Sequence, residues 1–409
     1  MATARDLDDL MHSNGRLNAE ERGSGATRLE SMPLDLILEL TTRCNLKCVT
    51  CGRTKSVGNT SPEFYLKRGL KKLLGRHTQA NKVADMTPEM IRHLFETVGP
   101  GAMVLELNGV GESPMTRSWQ LVVESLDLSS GHPFLTSNGT LLDEKTMRYF
   151  IEREGTIRIS LDAASAGVFH QVRGVNVYER VLKNVRKLIA LRREMNRPGF
   201  SLEMAFVAYA DNLDELMDFV ELAHELEADY VGVLELFAFS PEMDAKELRH
   251  IPARANQVLL ACRRRAAELG IKNDFPPLLP GGDTLISEVE YEALGLDPPN
   301  PSIEIGQYAT AGAVPCHQPW TTTMVHEDGD VVPCCRSDSI MGSLKRDSFP
   351  SIWNGSAYMK LRRDMLRYGR GGPAPRACHG CSVLEGAPEP GPLRRATLDR
   401  RAAPIREGL

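Results

Sequence analysis

No apolar run in this chain approaches the ~18 residues that a membrane span needs. The stretch from Met1 to Ser31 is polar and charged and lacks the apolar core of a secretion signal. An excess of one charge is missing too. The 49 Lys and Arg stand against 54 Asp and Glu, a net −5, so no basic field points to nucleic acid. These absences argue against membrane, nucleic-acid or secreted roles and lead to the expectation of a cytoplasmic protein. What remains is ordinary for a globular chain, with 42% hydrophobic and 25% charged residues. The 409 residues suffice for one large domain and a smaller one.

Cysteine is not scarce. Of nine, all but Cys262 fall in three groups, at 44–51, 316–335 and 378–381. In a long chain without a secretion signal, such grouping suggests metal binding rather than disulfides. Cys44, Cys48 and Cys51 form a C-x3-C-x2-C loop behind the apolar, β-leaning stretch 36–42. Three thiolates on one loop can hold three irons of a [4Fe–4S] cubane and leave the fourth open. On spacing alone, a zinc knuckle with a fourth ligand elsewhere is the alternative.

Near the C-terminus, strands Thr321–His326 and Asp330–Pro333 flank Glu327-Asp328-Gly329, a hairpin signal. Cys316 precedes the first strand and Cys334 follows the second, so both lie at the open end of the hairpin. Cys378 and Cys381 form a C-x2-C clip that would complete four ligands around a second [4Fe–4S] cluster, or a zinc ribbon. Cys335 is left over as an alternative ligand, a buried thiol or a hydrogen-atom donor.

Residues 1–30 read as a mobile tail, with little apolar period. The segment Tyr65–Leu74 reads as a basic amphipathic helix. It is either a solvated cover or a lid whose Lys67, Arg68, Lys71, Lys72 or Arg76 meets an anionic group. Strands and helices then alternate, with Thr87 and Pro88 opening a helix. Strands at 103–107, 134–136, 157–161, 202–207 and 230–236 join the one at 36–42 to make six βα-type units, and hence a parallel sheet. Chemistry in such sheets gathers at the carboxyl strand ends. There lie Asn108–Pro114, Thr136–Thr140, Ser160–Ala163, His170–Gly174 and Glu235. Residues 241–270 read as a helix that buries Cys262, and 274–315 as a Pro/Gly-rich connection.

The cysteine loop behind the first strand of an α/β chain resembles the radical S-adenosylmethionine (SAM) superfamily. In that family the open iron binds SAM, and its reductive cleavage gives a 5′-deoxyadenosyl radical that abstracts hydrogen from carbon. The resemblance implies a partial (βα)6 TIM-like barrel over 31–240 and a helical and Pro/Gly-rich bridge over 241–312. It also implies a small C-terminal β-hairpin/helix cluster-binding domain of Twitch/SPASM type over 313–384, with flexible tails at 1–30 and 385–409. Asn108–Pro114 is similar to the family's Gly-Gly-Glu-Pro motif, in which Gly109 and Gly111 would let backbone approach SAM and Glu112 would face its ammonium. Val110 and Ser113 depart from it, and Thr50 stands where an aromatic is common. By the same resemblance Ser137 and Asn138 would line the SAM pocket. Ser160 and Asp162 match a Ser-x-Asp pattern, Ser160 would reach the ribose, and Arg173 the carboxylate.

A fully ligated second cluster can accept an electron, which favours net oxidation. Five C-terminal cysteines suit the one-cluster Twitch type and resemble an aminocyclitol dehydrogenase of the family. The expected substrate is therefore a sugar or aminocyclitol, with dehydrogenation or epimerisation as the reaction and flavodoxin or ferredoxin as reductant. Epimerisation needs a thiol donor, Cys335 or Cys262, and Glu235 would face substrate. A ribosomal peptide is the alternative, disfavoured here because only 43 residues precede Cys44. The alternative of another class is a non-catalytic metal-binding protein.

Overall fold

A computed structural model describes residues 3–51, 84–281 and 316–381, except 239, 338, 370, 371, 379 and 380. The basic stretch at 65–74, most of the Pro/Gly-rich connection and the C-terminal tail lie outside these residues.

One ten-stranded sheet runs through the described chain. Its strands are β1 (Asp35–Leu38), β2 (Val104–Leu107), β3 (His132–Ser137), β4 (Thr156–Ser160), β5 (Ser201–Ala208), β6 (Tyr230–Glu235), β7 (Lys272–Asp274), β8 (Thr322–Val325), β9 (Asp330–Val332) and β10 (Gly342–Ser343). The order is β10-β9-β8-β1-β2-β3-β4-β5-β6-β7. Strands β1 to β7 are parallel and sequential, which is the winding of a βα barrel rather than of a doubly wound sheet. The six expected units are all present.

The connecting helices form because each presents an apolar stripe at helical spacing. They include α2 (Pro88–Thr97), α3 (Trp119–Ser125), α4 (Glu144–Glu152), α5 (Ala166–Arg173), α6 (Tyr178–Met195), α7 (Leu216–Glu225) and α8 (Pro252–Glu268). Thr87 caps α2 by accepting from the Met90 amide, with Pro88 in the first turn. Ile157 and Ile159 of β4 join the core under the helices, so Arg158 and Ser160 face the opposite side. There Arg158 pairs with Glu203 at 2.7 Å and lies 4.6 Å from the Phe134 ring.

Three expectations are corrected. Residues 1–30 are not a featureless tail, because Ala4–Gly23 form helix α1, capped by Thr3. Polar contacts anchor it beside a single buried apolar side chain, Met11, rather than a full apolar stripe. Asn14 Nδ2 donates to the carbonyls of Met32 and Gly101, at 3.1 and 2.8 Å. Buried Asn18 donates to the Trp320 carbonyl at 2.7 Å. Hydrophobic periodicity cannot show such a helix. The second correction is β7, a seventh strand inside the stretch read as a bridge. Its sequence, Lys-Asn-Asp, carries no β signal. The third concerns the C-terminal hairpin, which does not stand apart. Strand β8 pairs in parallel with β1, Asp35 opposite Thr322, and extends the barrel sheet. The turn after β8 is as expected, with Gly329 at φ +86° and its amide donating to the His326 carbonyl at 2.8 Å.

Candidate active site

The loop carrying Cys44, Cys48 and Cys51 leaves the carboxyl end of β1 and is clamped by the end of α5. The Lys47 amide donates to the Arg173 carbonyl at 3.2 Å, and the Val49 amide to Val172 at 2.9 Å. Gly174 ends α5 at φ +73°, and a Cβ there would stand 2.6 Å from the Lys47 carbonyl oxygen. Only glycine allows both the left-handed turn and this approach.

Arg173 is buried against the loop. Its Nη1 lies 3.6 Å from Cys48 Sγ, its Nη2 2.9 Å from Asp162 Oδ2, and its Nε donates to the Leu161 carbonyl at 3.3 Å. Burial raises the Cys48 thiol above its ordinary range, opposed by the Arg173 charge. Burial likewise raises Asp162, again opposed by Arg173. Asp162 Oδ1 accepts from the Val207 amide at 2.9 Å. Sequence reasoning aims Arg173 and Asp162 at SAM. The structure engages them with each other and, through Arg173, with the cysteine loop.

The glycine motif lies across β1. A Cβ on Gly111 would fall 2.0 Å from the Thr41 carbonyl oxygen, so this turn packs backbone on backbone. Glu112 is buried behind it. Its carboxylate accepts from the Ser137 hydroxyl and, at 2.9 Å, from the Asn138 amide. Burial pushes Glu112 up to about 7 against those donors and the Arg173 charge. Asn138 Nδ2 donates to Asn45 Oδ1 at 2.9 Å, and Asn45 Nδ2 to Thr140 Oγ1 at 2.7 Å. Asn45 thus ties the cysteine loop to the end of β3. Sequence reasoning missed it, although a polar residue directly after Cys44 was the available signal. Ser160 is half-buried at the end of β4.

The C-terminal thiols gather in the same way. Neighbouring thiols add to the effect of burial, Cys316, Cys334 and Cys381 at Cys378, and Cys335, Cys316 and Cys381 at Cys334. Burial pushes Cys334 and Cys378 up to about 12. Cys335 points to solvent beside them. Four converging thiols at one site and three on one clamped loop fit two iron–sulfur clusters, because thiolates are the ligands such clusters take and the cluster replaces the thiol protons.

The remaining candidates separate. Glu235 is exposed at the end of β6. Cys262 is 0% exposed, inside α8 within the apolar core, where burial pushes it up to about 12. Enclosed in that core, its thiol has no exposed surface.

A model of the radical SAM superfamily matches residues 38–223. A second model, SPASM, an iron–sulfur cluster-binding domain, matches residues 316–382. The chain belongs to the radical SAM superfamily.

Its cofactors are accordingly SAM with a [4Fe–4S] cluster and, in the SPASM domain, a further cluster. This radical SAM chain is 22% identical over 341 residues to the antilisterial bacteriocin subtilosin biosynthesis protein AlbA of Bacillus subtilis. That match covers 81% of this chain and 61% of AlbA. It is 23% identical over 364 residues to the mycofactocin maturase MftC of Mycolicibacterium smegmatis, covering 86% and 76%. Among solved structures, SuiB of Streptococcus suis bound to S-adenosylmethionine shares the fold, with a TM-score of 0.56 at 15% identity over 91% of this chain and 76% of SuiB. No helix among the described residues is long and apolar enough to cross a membrane.

Proposed function

We propose that this radical SAM enzyme modifies a ribosomally synthesised peptide by removing hydrogen from one of its carbons. The observation that carries the reading is likeness over four-fifths or more of the chain to AlbA and MftC, proteins named for bacteriocin biosynthesis and mycofactocin maturation. SuiB, which shares the fold, has also been captured with precursor peptide SuiA. The barrel mouth adds support. Beside Glu235, Leu234 and Phe237 are 41% and 73% exposed, an apolar rim that suits an amino-acid side chain better than a polyol.

In this reading Cys44, Cys48 and Cys51 hold the first cluster, and Cys316, Cys334, Cys378 and Cys381 the second. When bound, the clusters and SAM supply one-electron chemistry that takes hydrogen from carbon and accepts the second electron. The chain does the rest. Arg173 sets a positive charge beside Cys48. Glu112, once ionised, attracts the ammonium of SAM. Gly109 and Gly111 let the turn that carries Glu112 pack closely on Glu39 and on the Thr41 backbone. Flavodoxin or ferredoxin serves as reductant.

A sugar or aminocyclitol is the second reading, favoured by the hydrogen-bonding Arg158–Glu203 pair on the face away from the helices. Anaerobic reconstitution followed by dithionite, SAM and either candidate precursor peptides or polyols separates the two. Peptide-dependent deoxyadenosine and a peptide lighter by two hydrogens support the proposal. Oxidation of a polyol with inert peptides overturns it.

A further inference from the structure

Among the described residues, a group of ligand-type side chains other than the thiols converges. Glu39 follows β1, and His326 and Glu327 follow β8. One ligand atom from each lies within 4.8 Å of the others. Glu39 is 0% exposed. Its Oε1 accepts from the Val110 amide at 2.7 Å, while its Oε2 lies 2.5 Å from His326 Nδ1. Glu327 is 7% exposed, and among the described residues its Oε2 has no hydrogen-bond partner.

Two carboxylates and one imidazole in a water-poor pocket make a poor structural filler. A buried carboxylate oxygen without a donor costs stability, and a second carboxylate nearby adds repulsion. A His–Glu ion pair satisfies Glu39 but leaves Glu327 Oε2 without a donor. A cation of charge +2 would satisfy both. We propose that Glu39, His326 and Glu327 form a divalent-cation site that bonds the barrel to the C-terminal strands. One imidazole and two carboxylates suit zinc with a water in the fourth position. Thiolates take no part, so this site is distinct from both clusters. The Gly109–Val110 turn rests directly on Glu39, since a Cβ on Gly109 would be 2.6 Å from Glu39 Cγ.

The test uses cluster-loaded protein equilibrated with zinc and passed through gel filtration. Metal analysis is expected to give about one zinc per chain beside an unchanged iron count, and the zinc K-edge spectrum nitrogen and oxygen neighbours without sulfur. Glu327→Gln and His326→Ala are expected to weaken zinc binding by more than the ~10–100-fold seen when groups behind the ligands are changed. Three results overturn the site: no zinc retained by the wild type, sulfur in the zinc spectrum, or unchanged binding in both variants. The wild-type spectrum decides even if a variant fails to fold. None of these readouts needs SAM cleavage or a substrate, so the inference stands or falls apart from the peptide proposal.

Discussion

The guanidinium of Arg173 stands 3.6 Å from the sulfur of Cys48 while gripping Asp162 at 2.9 Å. The two contacts make Arg173 the charge that offsets a thiolate cluster in a buried place. Replacing it by Met leaves Asp162 buried without its partner, which costs roughly 3–5 kcal/mol. It also removes positive charge beside the first cluster, so the reduction potential of that cluster moves to a more negative value. An EPR-monitored redox titration checks this. An unchanged potential at full iron occupancy would contradict it.

Gly174→Ala tests the clamp on the cysteine loop. The new methyl meets the Lys47 carbonyl at 2.6 Å in a left-handed conformation. The expected result is loss of the first cluster with the second retained, a fall from about eight irons to about four. Gly111→Ala, which collides with the Thr41 carbonyl, is expected to lower stability by about 1–3 kcal/mol or more. Iron analysis and urea unfolding read the two outcomes.

Glu112 gives a pH dependence with a definite sign. Its folded value of about 7 lies above its ordinary 4.5, so the fold favours the neutral acid. Its contribution to stability is full below 4.5 and is lost as pH rises through 7. The difference is on the order of 3 kcal/mol. Glu112→Gln keeps the shape and removes this slope, leaving the SAM-free protein relatively more stable above pH 7. Affinity for SAM runs the other way. It falls in the wild type as pH drops below 7, and the variant loses that dependence. Unfolding and SAM-binding curves across this range check both signs.

The adjacent thiols Cys334 and Cys335 have different fates. Cys334→Ala is expected to lose the second cluster, about four irons, whereas Cys335→Ala keeps it. Cys262→Ala leaves both clusters and turnover intact and costs only the packing of a small buried side chain. If Cys335→Ala loses iron and Cys334→Ala does not, the ligand assignment is reversed.

Much of this was legible in the sequence because it is local. The three-cysteine loop, the Thr87–Pro88 helix start and the Glu327–Gly329 turn each occupy a few adjacent residues, and propensity and spacing describe them fully. What was missed is non-local or polar. Helix α1 is held by Asn14 and Asn18 rather than by an apolar face. Strand β7 is three polar residues that only pairing with β6 makes a strand. Glu39 and His326 meet across 287 positions of sequence, and no pattern along the chain announces such a pair. The positive charge at Arg173 could be read, but not the direction it faces.

Strand β1 lies between β2 and β8, so the stem of the first cysteine loop is zipped on its far side by a strand far along the chain, Thr322 opposite Asp35. Until residues 322–325 leave the ribosome, that flank of β1 offers an unpaired row of amides and carbonyls, a template for pairing with another chain. Closing it requires a contact between distant parts of the chain, the slow kind in folding. Maturation of the enzyme is thus ordered by its own topology. The site built on β1 is secured on that flank only when β8 pairs with it.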